Sequence, residues 1–186
     1  MNWGETLPRL QGERLDLRWV TEEDIDGIFR VFGDEEVIRY WSSPAMKERK
    51  EAEDYLASIH KHFVAKDLFQ WGIALHGEKE IVGTCTLYQI DLRHRRGELG
   101  IALHSRAWGK GYGREAMRLL IGFCIGELGL HRLEADVDPF NHRSLSLFEG
   151  EGFRQEGLLR ERWFLHGKWQ DTILLGLLAR DWQANS

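Results

Sequence analysis

Three glycines at alternate positions, Gly109, Gly111 and Gly113, separate a strand-like run at residues 98–103 from a helical stretch that opens Glu115-Ala-Met-Arg-Leu-Leu-Ile-Gly-Phe. A chain with this order must turn sharply from a strand into a helix, and it places backbone without Cβ atoms at the helix N-terminus. Unpaired N–H groups and the positive end of the helix dipole meet there, so the turn is suited to holding an anion. Lys110 and Arg114 add positive charge at the same place. A glycine-rich turn without a ligand is the competing reading. Two familiar phosphate loops do not match. No Ser or Thr follows Lys110, as a P-loop requires. The spacing Gly109-x-Gly111-x-Gly113 also departs from the dinucleotide fingerprint, although Glu134 and Asp136 lie at a loosely suitable distance.

The pattern on either side of this turn predicts one mixed α/β domain over residues 1–186. Leu15, Leu17 and Trp19 alternate with charged residues as in a half-buried strand. Thr21-x-x-Asp24 is a capping-box-like helix start, followed by Ile25, Ile28, Phe29 and Phe32 at helical spacing. A second amphipathic helix is expected over residues 47–64, then strands at 69–76 and 80–88 joined by a turn at His76-Gly77-Glu78-Lys79. The run 98–103 is the fourth strand. The helix after the glycine turn, about 113–128, is apolar on most sides and is expected to pack on the sheet. Residues 131–138 form the fifth strand, Asn141 can cap the next helix, and Gly152 stops it. Two last strands are expected within 153–165 and 169–178, around a turn at His166-Gly167-Lys168.

Composition narrows the function. A net charge of −5 over 186 residues argues against non-specific nucleic-acid binding. The densest basic cluster, Arg93-His-Arg-Arg96, reads as a solvated loop beside the expected cleft. Two cysteines, Cys85 and Cys124, fall inside apolar elements and imply neither a disulfide framework nor a metal site. The eight histidines show no His-x-x-x-His pair, so no metal is expected. With no signal-like segment and no apolar run of membrane-spanning length, a cytoplasmic protein without membrane attachment is the expectation.

Residues 98–153 resemble the acetyl-CoA-binding core of the GNAT family of N-acetyltransferases. The family frame Gln/Arg-x-x-Gly-x-Gly/Ala appears as Trp108-x-x-Gly111-x-Gly113. Trp in first place departs from the general pattern. Trp-Gly-Lys-Gly-Tyr followed by Glu-Ala is similar to the branch of ribosomal-protein N-terminal acetyltransferases (RimJ/RimL-like). A second match begins at Asn141 and Ser144 and runs to Phe148-Glu-Gly-Glu-Gly152-Phe153. The opening Arg14-Leu-Asp-Leu-Arg18 and the ending Asp171 to Trp182 resemble the same branch. The resemblance implies a twisted, mostly antiparallel mixed sheet of six to seven strands with about four helices, splayed between the fourth and fifth strands. Homodimers are common in this branch, and the aromatic C-terminal hairpin is the surface that could pair.

For acetyl transfer the acyl carrier must be held, its carbonyl polarised, and the amine relieved of a proton. The resemblance implies that the backbone of Gly109, Lys110, Gly111, Tyr112 and Gly113 takes the CoA pyrophosphate, with Lys110 and Arg114 adding charge-assisted contacts. The pantetheine arm would follow Ile101, Ala102 and Leu103, and an N–H near Ile101 would polarise the thioester. Asn141 matches a cofactor-contacting Asn, and its competing role is the helix cap. Glu98 is the first candidate for the base, on the side of the strand that carries the small residues Gly100 and Ala102. Asp136 is the second, and a solvated surface carboxylate is the alternative for both. Phe148, counted with the cofactor site, stands where many members carry a proton-donating Tyr and cannot donate. Ser144 and Ser146 lie nearby and could donate the proton directly or through water, with a small polar filler in a helix as the alternative reading. Cys124 among apolar neighbours is not expected to be a nucleophile.

Tyr40, Trp41 and Trp71, together with Trp163 and Trp169, are candidates for the acceptor cleft, with core positions as the alternative. The leading expectation is acetylation of an N-terminal α-amino group in a ternary complex. A polyamine or aminoglycoside acceptor is the alternative, favoured by any acidic clustering of Glu134, Asp136 and Asp138. A CoA-binding sensor without catalysis is the third reading.

Overall fold

The computed structural model describes residues 4–165 and 167–183, and the side chain of Gln183 is left undescribed. Eight strands form one sheet in the order β1-β2-β3-β4-β5-β6-β8-β7. They are β1 (Leu10–Gln11), β2 (Leu15–Trp19), β3 (Leu68–Leu75), β4 (Ile81–Asp91), β5 (Arg96–Leu103), β6 (Arg132–Val137), β7 (Arg154–Leu165) and β8 (Lys168–Leu178). The helices are α1 (Ile25–Phe32), α2 (Glu35–Ile38), α3 (Arg49–Ala65), α4 (Tyr112–Gly122), α5 (His142–Gly150) and α6 (Ala179–Gln183). The expected α/β architecture is present with more elements than expected. The two-residue β1 and the short α2 and α6 are too brief to show periodicity. The expected turn at His166-Gly167-Lys168 has its first residue outside the described residues.

Alternation in the strands sends one set of side chains to each face of the sheet. One face carries Leu15, Leu17, Trp71, Ile73, Cys85, Leu87 and Leu99 and packs on Met117, Leu120 and Ile121 of α4. The other face, over β3 to β5, is covered by α1 and α3 through Ile28, Val31, Phe32 and Leu56. At ~25 cal/mol per Å² of apolar surface, burial of these two layers is the main favourable contribution to folding. Beyond Gly122 the α4 helix widens into a π-turn at Phe123–Glu127. Cys85 and Cys124 lie in the first core, and burial pushes both thiols up, which leaves them protonated.

The pairing of β5 determines where a site can exist. β5 runs antiparallel to β4 along its length, from Glu98 opposite Tyr88 to Leu103 opposite Gly83. Its parallel pairing with β6 covers Arg96, Gly97 and Glu98 alone. β6 then continues to Val137 against β8. From Leu99 onward the two neighbouring strands diverge, and one edge of β5 loses its sheet partner. β5 and β6 are the strands read from sequence as the fourth and fifth, so the expected splay is present.

Candidate active site

The glycine turn forms one wall of a cavity of about 540 Å³ that opens beside the splay. Gly109 and Gly111 adopt φ of +72° and +81°, the left-handed region that favours glycine. The turn is held from three sides. The Trp108 indole N–H donates to the Leu103 carbonyl at 2.8 Å, closing the end of β5. Arg143 of α5 lies over the Trp108 ring, 3.7 Å from its centroid. Arg14 donates to the Lys110 carbonyl at 2.9 Å and pairs with Glu115 at 2.7 Å. Trp108 therefore replaces the polar residue of the family pattern with a structural brace. Ile101, Ala102 and Leu103 line the opposite wall, with Asn141 and Ser144 completing it.

The direction of the β5 amides follows from one bond. His104 N–H donates to Val82 of the extended β4 side at 2.9 Å. N–H groups alternate along a strand, so those of Leu103 and Ile101 point the opposite way, into the splay. An amide donor aimed into a gap between strands is what a thioester carbonyl requires.

A second cavity, about 380 Å³, lies along the splay and is lined by Leu99, Gly100 and Ile101 of β5 and by Asp136 and Val137 of β6. Both cavities are lined by Tyr40, Trp41, Ile101, Asn141 and Ser144, so they meet at those residues. The segment carrying Tyr40 and Trp41 is fixed at two points. Asp34 caps α2 and also accepts the Ser105 N–H at 3.1 Å. The Tyr40 hydroxyl donates to the Phe140 carbonyl at 3.0 Å, strapping the segment across to the loop that follows β6. Asn141 caps α5 by accepting the Ser144 N–H at 3.1 Å while also lining both cavities.

The carboxylates divide by position. Asp136 lines the second cavity and accepts hydrogen bonds from the Thr172 hydroxyl and from the Trp163 indole at 3.3 Å. Glu98 lies behind that surface, half-buried, and accepts a hydrogen bond from the Tyr88 hydroxyl. Tyr88 itself lines the cavity. Burial raises the Glu98 carboxyl above its usual value, against the lowering effect of the Tyr88 bond, and the negative charges of Asp136 and Glu134 raise it further. Burial also raises the Tyr88 hydroxyl, so it stays protonated. Tyr88 was not singled out from sequence, because nothing local shows that it stands beside Glu98.

Several expectations need correction. Trp71 has 0% exposure and lies in the core on the other sheet face, its indole donating to Pro8 and its ring edge-on to Phe123. It lines neither cavity because Gln70, not Trp71, faces the acceptor side. Trp71→Ala is therefore expected to cost about 3–5 kcal/mol of stability. Calorimetry should show a Tm fall of roughly 10 °C or more, whereas Trp41→Ala should chiefly raise the KM for the amine. Phe148, counted with the cofactor site, is buried against Phe153 and lines the second cavity, not the one beside the glycine turn. Lys110 is exposed outside the first cavity's lining. Arg114 lines it, but its guanidinium pairs with the buried Glu151 at 3.3 Å, so its charge is already partly countered. The basic cluster after β4 lines neither cavity; there Arg96 pairs with Glu134, and Arg95 donates to the Gly129 carbonyl.

Among the described residues no group of three metal-ligating side chains occurs, and no helix is long and apolar enough to cross a membrane. The model of the acetyltransferase (GNAT) domain matches residues 14–154. The chain is 32% identical to an uncharacterized N-acetyltransferase, p20, of Bacillus licheniformis, over 95% of this chain and 99% of the relative. It is 27% identical to the [ribosomal protein uS5]-alanine N-acetyltransferase of Escherichia coli, over 94% and 92%. Among solved structures, the fold is similar to spermidine N-acetyltransferase from Vibrio cholerae in complex with CoA and spermine. That match has a TM-score of 0.81 and 24% identity, covering 91% of this chain and 98% of the other. A glycine turn between strand and helix, a splayed strand with a free amide edge and a family match over three quarters of the length have one common meaning: the chain belongs to the GNAT family and is an acetyl-CoA-dependent N-acetyltransferase.

Proposed function

We propose that this N-acetyltransferase acts on the α-amino group at the N-terminus of a peptide or protein. The observation that carries the reading is the modest base beside the second cavity, where Glu98 connects to the lining through the Tyr88 hydroxyl. Asp138 accepts the Phe140 N–H at 2.7 Å, and Asp171 accepts the Glu161 N–H at 2.8 Å. Glu134 is held between Arg96 at 3.0 Å and Arg132 at 2.7 Å. Asp136 has neutral hydrogen-bond donors, with the Arg162 guanidinium at 4.0 Å. Glu134 is thus countered by two arginines, whereas Asp136, Asp138 and Asp171 meet neutral donors, keep their charge and can attract an ammonium group. An α-amine needs less help: with a pKa near 7.8 it is roughly one-seventh neutral at pH 7, against ~0.04% for lysine.

Acetyl-CoA supplies an acyl group activated as a thioester. The loop N–H groups of Gly109, Gly111 and Gly113 would hold its pyrophosphate, with Arg143 at the edge of the same cavity. The Ile101 N–H would donate to the thioester oxygen. Asp136 would orient the amine. The proton lost by the amine would pass to the Tyr88 oxygen as the Tyr88 proton moves to Glu98. Phe148 offers no proton donor to the departing thiolate, and Ser144, which lines both cavities, would donate one.

A polyamine acceptor keeps one observation in its favour, since Asp136, Asp138 and Asp171 all line the same cavity. Initial rates of thiol release separate the readings. Peptides with a free N-terminus are expected to exceed spermidine, aminoglycosides and N-blocked lysine peptides in kcat/KM by at least about tenfold, the factor that follows from 1.4 kcal/mol. A higher value for spermidine would replace the N-terminal reading with the polyamine one.

A further inference from the structure

Gln70 holds a buried amide donor that the protein itself does not use. The residue is on β3, 1% exposed, and lines the acceptor cavity. Its Oε1 accepts the Tyr55 hydroxyl at 3.0 Å. Its Nε2 has no hydrogen-bond partner. Burial pushes the Tyr55 hydroxyl up to about 12, so Tyr55 keeps the proton that it donates in that pair. Buried polar groups in native proteins are almost always paired, and one that lines a binding cavity calls for a partner from outside the chain.

The sheet register shows where that partner would be. Gln70 lies opposite Thr86, and Thr86 opposite Gly100, in one line across three strands on one face. Strands are ~4.8 Å apart, so the Gln70 and Gly100 backbones are about 10 Å apart. Gly100 adjoins Ile101, where the two cavities meet. Allowing for the length of the Gln side chain, Nε2 reaches back over part of that distance. A peptide advances ~3.5 Å per residue, so a carbonyl in the first two residues of an extended acceptor falls within this span.

We infer that Gln70 is a specificity-determining residue that donates from Nε2 to a backbone carbonyl oxygen of a peptide acceptor. The inference rests on the N-terminal reading and sharpens it. Polyamines bring only N–H donors when protonated and leave Nε2 unpaired, whereas a peptide brings the missing acceptor. A site built to hydrogen-bond a substrate group discriminates strongly against an analogue that lacks it, because the site's own polar atom is then stranded.

The test compares two amines, a tripeptide amide with a free N-terminus and an alkylamine of similar length without oxygen. Each is assayed with wild-type enzyme, Gln70→Met and Gln70→Glu. Gln70→Met removes the donor at similar volume. Gln70→Glu keeps an oxygen for Tyr55 and removes the amide donor, and it serves if the Met variant folds poorly. Both variants should lose roughly 10- to 100-fold in kcat/KM for the tripeptide, the effect of leaving one buried bond unmade. The alkylamine and the KM for acetyl-CoA should change less than about threefold, within the loss of one weak contact. Equal losses for both amines would assign Gln70 a purely structural role and overturn the inference. Unchanged tripeptide kinetics would overturn it while leaving the N-terminal reading in place. Wild-type turnover of the alkylamine alone, or of neither amine, would remove both.

Discussion

Glu98→Gln is expected to lower kcat by roughly 10²- to 10⁴-fold, the usual contribution of a positioned base. Tyr88→Phe should fall in the same range, because the Tyr88 hydroxyl stands between Glu98 and the acceptor cavity. The double variant should be little worse than either single one, since both break the same relay and residues acting as a unit are not additive. Acetyl-CoA binding should be unchanged in all three. The pH profile carries the sign. Glu98 must be ionised to accept a proton, and burial raises its carboxyl above the ordinary 4.5. Activity should therefore fall as pH decreases through a value above 4.5, and kcat should flatten on that side in Glu98→Gln. Near-wild-type kcat in Glu98→Gln would transfer the base role to Asp136 or to water.

Gly111→Val should weaken CoA binding by roughly 10- to 100-fold while kcat at saturation changes little. The physical reason is local. Gly111 has φ of +81°, a conformation that costs a β-branched residue about 1–3 kcal/mol. An added Cβ would also approach the Arg14 guanidinium to 3.2 Å, against the brace that holds the Lys110 carbonyl. Relief of that strain would move the loop, and with it the N–H groups proposed to hold the pyrophosphate. Titration calorimetry with CoA reads the effect directly. Wild-type affinity in Gly111→Val would separate the glycine turn from cofactor binding.

The glycine turn could be read from sequence because its requirement is chemical and local: glycine adopts those dihedrals without the strain that a Cβ adds. The order of strands and helices was readable for the same reason, since periods of 2 and 3.6 are carried by the side chains themselves. What could not be read depends on register. Gln70 and Trp71 are adjacent in one strand, and their alternation does not say which face meets the amine. The structure turns Trp71 into the core and Gln70 toward the cavity. The Tyr88–Glu98 pair is set by the β4–β5 hairpin, whose ladder shifts between Tyr88 and Asp91 with Gln89 and Arg95 at positive φ. No periodicity marks such a shift, so Glu98 was legible as a candidate while its partner was not. Arg114 fits the loop by charge, but its engagement by Glu151 depends on α4 and α5 lying side by side.

The most direct measurement is to offer the enzyme and acetyl-CoA a single peptide with both a free N-terminus and an internal lysine, with spermidine present as competitor. Mass spectrometry then locates the acetyl group. The N-terminal assignment predicts one acetyl on the α-nitrogen, an unmodified lysine, and little acetylspermidine. Acetyl on the lysine, or on spermidine in preference to the peptide, would contradict it.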